Sequence, residues 1–295
     1  MSISVCSLHP VFAGEVSSVD LTRPLAAADV AAIEAGMDQY AVLVLPGQNL
    51  TDEQQVAYTR NFGEIELAVN SNVTQEKDRR IDVHLADVSN LDRDNRIFAR
   101  DDRRRMFNLG NQLWHSDASF RVVPAKYSLL SGRVIPSWGG NTEFSDMRAA
   151  YDALDATTKA DIEELVCEHS LIYSRGQLGF EGFSAEELVA FRPVRHRLVR
   201  THPVTGRKSL FLSSHIGTIV GWPMPEARAF IRDLAEHATQ EKFVYAHRWR
   251  QYDLVMWDNR QTMHRARRFA DTGEVRDMRR TTVKGDGPTA KQIAA

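Results

Sequence analysis

Leu254-Val255-Met256-Trp257-Asp258-Asn259, followed by Arg260-Gln261-Thr262-Met263-His264-Arg265, is a short apolar run that breaks into polar residues and then delivers an imidazole. A run of this length reads as a buried strand. Outward from it, the second half of the chain repeats the signal. Ser209-Leu210-Phe211-Leu212 and the segments 243–249 and 278–283 are short and strand-like, with turns such as Thr205-Gly206 between. One helix interrupts them: Pro225 suits its first turn, and Ala227, Phe230, Ile231, Leu234 and Ala238 fall on one face. Many short strands with few helices point to an α+β, mainly β, fold, a β-sandwich or jelly roll decorated with helices.

The first half supplies the decoration. Residues 22–40 read as a turn and a helix, with Val30, Ile33 and Met37 at helical spacing, and Ala41-Val42-Leu43-Val44-Leu45 reads as a buried strand stopped by Pro46-Gly47. Thr51-Asp52-Glu53-Gln54 has the form of a capping box opening a helix to Phe62. Residues 127–134 are strand-like, and helical signal returns at 147–154 and 158–166. Residues 66–105 are polar and sustain neither period, which suits a long active-site lid; 176–195 are a second candidate cover, and 285–295 a flexible tail. No repeat or composition break divides the chain, so residues 1–295 are expected to form one domain.

With 37 Lys and Arg against 39 Asp and Glu, the net charge of -2 gives no reason to expect nucleic acid or an anionic membrane as partner. The absence of a leader pattern or a spanning run leads to the expectation of a cytoplasmic protein. Cys6 and Cys167 lack metal-type spacing and fit a reducing compartment. Homo-oligomerisation is also expected.

Asn111-Gln112-Leu113-Trp114-His115-Ser116-Asp117 places an imidazole and a carboxylate two residues apart. In an extended segment they face the same side and can reach one ion. His264 is the natural third ligand. Two histidines and a carboxylate on one face of an ion suit non-haem Fe(II), while the same residue types also make a catalytic zinc site, so ligand identity leaves both open. Downstream, Arg276 and Arg280 are four apart and share one face of a strand. Guanidinium pairs bidentately with carboxylate, so a dicarboxylate cosubstrate and an acidic substrate would account for both.

These residues resemble the TauD/TfdA family of Fe(II)- and 2-oxoglutarate-dependent dioxygenases, and within it the 2,4-dichlorophenoxyacetate group. The likeness is carried by Asn61-Phe62-Gly63, Leu85-Ala86-Asp87-Val88-Ser89-Asn90, the heptad ending at Asp117, Gly140-Asn141-Thr142-Glu143-Phe144, the segment 146–154 and Trp257-Asp258-Asn259-Arg260. It implies a double-stranded β-helix, with iron held by His115, Asp117 and His264. It further implies 2-oxoglutarate held by Thr142 and Arg276, and the substrate acid by Arg280, with Arg279 facing the other way. Arg276 is placed by the Arg279-Arg280-Thr281 register, because the segment after His264 is one residue longer than in the herbicide enzymes. Where those enzymes carry two lysines near the substrate acid, this chain has Asn70 or Ser71, and Arg96. His202 and His215 could line the pocket.

The implied reaction consumes O₂ and 2-oxoglutarate and hydroxylates a small carboxylic acid. An aryloxyalkanoate such as 2,4-dichlorophenoxyacetate would give a phenol, glyoxylate, succinate and CO₂. A taurine or alkylsulfonate dioxygenase is the rival within the family. A zinc hydrolase with the same ligands and a non-catalytic sandwich binding an anion are the rivals outside it.

Overall fold

The computed structural model describes residues 3–69 and 72–292. Fifteen strands run in chain order among the described residues. The first seven are β1 (Ser4–Ser7), β2 (Gly14–Ser17), β3 (Val42–Leu45), β4 (Ala86–Asp87), β5 (Ala125–Val134), β6 (Thr142–Asp146) and β7 (Val166–His169). The rest are β8 (Val194–Arg197), β9 (Val199–Thr201), β10 (Lys208–Leu210), β11 (Ile216–Ile219), β12 (Val244–His247), β13 (Leu254–Asp258), β14 (Thr262–Ala266) and β15 (Asp277–Lys284). The main sheet has the order β1-β2-β3-β13-β5-β15-β4, and a smaller one the order β12-β6-β14. With helices packed on them, the sheets make an α+β architecture in which helices and strands take comparable shares of the described residues, so the expectation of a mainly β chain is corrected.

Alternation along the central strands sorts the main sheet into two faces. Leu43 and Leu45 of β3, Tyr127 and Leu129 of β5, and Leu254 and Met256 of β13 point outward. There they meet Ile33 and Met37 of helix α1 (Ala27–Tyr40) and Tyr58 of helix α2 (Asp52–Thr59). Val42, Val44, Leu130, Val255, Trp257 and Met278 point the other way, onto Phe144 of β6. Between these two sheets lies the space that the functional side chains enter. The reading of Thr51 to Gln54 as a capping box holds: Gln54 N donates to Thr51 Oγ1, and the Gln54 side chain receives Thr51 N.

Two local expectations are corrected. The helix expected over 158–166 ends at Ile162, because β-branched Val166 opens β7 and pairs with Arg197 of β8. The His-x-Asp segment is not a strand: His115 makes one isolated bridge, to His264, and the chain turns at Asp117.

The described residues of 66–105 contain little regular structure but are tied down. Glu66 N donates to Thr282 O, Val88 N to Met278 O and Asn90 N to Arg276 O, so the segment follows the β15 edge. Residues 285–292 lie along the body: Asp286 pairs with Arg260, Thr289 with His196, and the Gln292 amide with the Arg195 backbone. No described helix is long and apolar enough to cross a membrane.

Candidate metal centre

His115, Asp117 and His264 offer ligand atoms that all lie within 4.8 Å of one another, and all three residues are buried. Distant parts of the chain meet here because His115 and His264 exchange backbone hydrogen bonds, at 2.9 and 2.8 Å. His115 Nε2 is 3.9 Å from Asp117 Oδ1, and His264 Nε2 is 3.8 Å from Oδ2. His115 Nδ1 lies 2.7 Å from Leu113 O. A bond to that carbonyl uses the Nδ1 proton and leaves the Nε2 lone pair facing the carboxylate.

Electrostatics prepare the same three groups. Burial lowers the His115 pKa and takes that of His264 to about 3, so both rings are neutral donors. Burial alone would raise the Asp117 carboxyl, but the Arg280 guanidinium beside it, helped by the Ser128 hydrogen bond, outweighs burial and holds it below the ordinary carboxylate range. Ser128 Oγ donates to Asp117 Oδ2 at 2.7 Å, and Arg280 lies 2.5 Å from Oδ1. Asn259 ties this together: its Oδ1 accepts from Asp117 N and from Trp257 Nε1, and its Nδ2 donates to Ser128 Oγ. Two neutral imidazoles and an ionised carboxylate, clustered and oriented from behind, fit an octahedral metal with open positions.

Beside the cluster is a cavity lined by Leu130, Thr142, Trp257, Phe269, Arg276 and Arg280, among others. Arg276 is buried with no carboxylate partner among the described residues; burial takes its pKa down to about 10. Thr142 Oγ1 accepts from Trp249 Nε1 at 3.0 Å, which leaves its own proton free for the cavity. Arg279 points to the outer face and pairs with Asp277, as the strand parity requires.

The remaining expected site residues divide. His215 is brought in: it lines a smaller cavity with His115, Asp117 and Arg280, and its ring centroid is 5.9 Å from that of His115. His202 is not, because its Nε2 lies 3.3 Å from Asp258 Oδ2 in a buried polar cluster with Arg260. Arg96 is exposed on a turn whose backbone is held by Asp92, and it lines neither cavity. Asn70 and Ser71 lie outside the described residues. Ser128 and Arg175 went unnoticed in the sequence, where neither stands in a distinguishing pattern.

The family described as taurine catabolism dioxygenase TauD, TfdA matches residues 5–282. The alpha-ketoglutarate-dependent 2,4-dichlorophenoxyacetate dioxygenase of Cupriavidus pinatubonensis is 46% identical, covering 97% of this chain and 99% of that protein. The (S)-phenoxypropionate/alpha-ketoglutarate-dioxygenase of Sphingobium herbicidovorans is 36% identical, covering 89% and 88%. The crystal structure of AAD-2 in complex with Mn(II) and N-oxalylglycine matches with a TM-score of 0.96 at 58% identity, covering 98% of this chain and 100% of that one.

Proposed function

The chain belongs to the TauD/TfdA family of 2-oxoglutarate-dependent dioxygenases, and from that membership we propose that it hydroxylates an aryloxyalkanoate such as 2,4-dichlorophenoxyacetate. His115, Asp117 and His264 hold Fe(II) in this reading. The facing sheets are read as a double-stranded β-helix in a single domain, with residues 66–105 as the cover of its open end.

The observation that carries the reading is Arg276, a buried guanidinium with no carboxylate of its own beside a two-histidine, one-carboxylate cluster. An unpaired buried charge is costly, so it calls for an anionic ligand. A dicarboxylate bound there places its distal acid on Arg276, within reach of the Thr142 hydroxyl, and its other end toward the metal. N-oxalylglycine, bound by AAD-2 with Mn(II), carries the same two acid groups as 2-oxoglutarate.

When bound, iron with O₂ and 2-oxoglutarate supplies the oxidising power, yielding succinate, CO₂ and a hydroxylated substrate carbon. The chain's own residues do the positioning. Ser128 donates to the Asp117 carboxylate while Asn259 holds the Asp117 backbone N–H and Ser128 itself, and Trp257, Phe269 and Leu130 make the cavity wall apolar there. Arg280 holds the substrate acid so that the carbon between acid and ether oxygen faces the centre. Hydroxylation there gives a hemiacetal that separates into a phenol and glyoxylate.

Succinate release, measured with Fe(II), O₂ and 2-oxoglutarate across phenoxyacetate, phenoxypropionate, a cinnamate-type acid and taurine, tests the substrate class. Stimulation by the aryloxy acids is expected. Stimulation by taurine alone would move the chain to the alkylsulfonate branch, and zinc-supported hydrolysis without succinate would overturn the reading.

A further inference from the structure

Counted over the whole residue, five arginines are buried among the described residues. Arg148 pairs with Asp146, Arg260 with Asp258 and Arg279 with Asp277. Arg276 and Arg175 pair with no carboxylate. Arg276 is accounted for by the cosubstrate, whereas Arg175 has no role in the chemistry described so far.

Arg175 is held for a purpose other than packing a long stem. It stands in the last turn of the short helix Leu171–Gly176, and its guanidinium lies over the Phe107 ring at 4.4 Å. Gly110 packs directly against the same group, where an added Cβ would come within 2.4 Å of the guanidinium carbon. The guanidinium is therefore hemmed in by Phe107 and Gly110, and its edge nitrogens are left to bind. Those edges are poorly used: one nitrogen meets Ser174 Oγ at 3.1 Å, another Asn111 Oδ1 at 3.4 Å, and Nε has no partner. Ser174 Oγ in turn sits 2.8 Å from His215 Nδ1. Arg175 lines the smaller cavity, together with His115, Asp117, Phe120, His215 and Arg280. The Arg280 charge in that cavity is already engaged by Asp117. The uncompensated cation there is Arg175.

Resting on the reading of the chain as an aryloxy-acid dioxygenase, we propose that Arg175 receives the substrate's acid group in this cavity alongside Arg280, and so sets the preference for anionic over neutral aryl ethers. A clamped, partly unsatisfied guanidinium pays little ordering entropy when a carboxylate arrives and discriminates strongly against a ligand that cannot accept its hydrogens.

The test is calorimetric titration of phenoxyacetate and of neutral 2-phenoxyethanol into protein loaded with Mn(II) and N-oxalylglycine. Arg175→Gln should weaken phenoxyacetate by about 10- to 100-fold, the loss of a charge-assisted bond, and leave phenoxyethanol within about twofold. Arg175→Lys should recover part of the loss, and N-oxalylglycine affinity should be unchanged in both variants. Equal weakening of acid and alcohol would make Arg175 a purely structural clamp, and unchanged acid affinity would remove it from the site; each result overturns the proposal. Wild-type protein that binds N-oxalylglycine but no aryloxy acid would instead overturn the substrate reading on which the proposal rests.

Discussion

Arg276 and Asp117 illustrate how single side chains divide the work at this centre. The carboxylate is surrounded by cations and donors, which hold it ionised, while the guanidinium is buried alone. Removing the charge of Arg276 should act on the cosubstrate alone. Arg276→Gln is expected to raise the 2-oxoglutarate KM by about 10- to 100-fold, leaving the KM of the aryloxy acid within about twofold, as steady-state succinate release would report. An unchanged 2-oxoglutarate KM would remove Arg276 from the cosubstrate site. At this scale, the residues legible in the sequence were those whose chemistry depends on type and local spacing. His115 and Asp117 are neighbours in the chain, and the opposite facing of Arg279 and Arg280 follows from strand geometry, whereas Arg276 lies just before β15 and ahead of a register shift at Asp277/Met278, so strand parity does not place it. Arg96 and His202 were not legible as outsiders, because long-range partners decide their place: Asp258 takes the His202 ring, and the turn at Asp92 sends Arg96 into solvent. Arg175 was missed for the same reason, since its clamp comes from Phe107 and Gly110 more than sixty residues earlier.

Among the elements, β6 depends most visibly on its approach. Gly139 and Gly140 both have positive φ, and a Cβ at Gly139 would come within 2.3 Å of Arg268 O. That turn delivers Thr142 to the cavity and brings 139 beside Phe269. Gly139→Ala is expected to cost about 1–3 kcal/mol through backbone strain and to weaken 2-oxoglutarate binding, read by thermal unfolding with and without N-oxalylglycine. A wild-type Tm and an unchanged ligand shift would show that the turn does not set the site. Strands and helices with strong local signals were readable: the continuous apolar run of β13 and the capping box of α2 are both set within a few residues. The helix end at Ile162 was not, because the pairing of Val166 with Arg197 overrides a continuous apolar face.

Across the whole molecule, the segment 66–105 is joined to the main sheet by charge as well as backbone. Arg80 pairs with Asp87 at 2.8 Å and with Asp277 at 2.7 Å, so one guanidinium ties this segment to the strand that carries Arg280. Its side chain is only 7% exposed, which makes the link stronger than a surface pair. Arg80→Gln should accelerate amide exchange over residues 80–98 while β13 keeps its protection; uniform loss of protection would indicate a global fold role instead. The polar composition of 66–105 marked a long excursion, but not its ties, which need Asp277 far along the chain. The central claim joins these scales: a metal cluster, a cosubstrate anchor and an acid-binding cavity serve one reaction. Its most direct test is the stoichiometry of succinate and phenol released from 2-oxoglutarate and an aryloxyacetate under O₂ with Fe(II). Equal amounts in the wild-type protein and neither product in Asp117→Ala are predicted; phenol released without 2-oxoglutarate, or undiminished in Asp117→Ala, would contradict it.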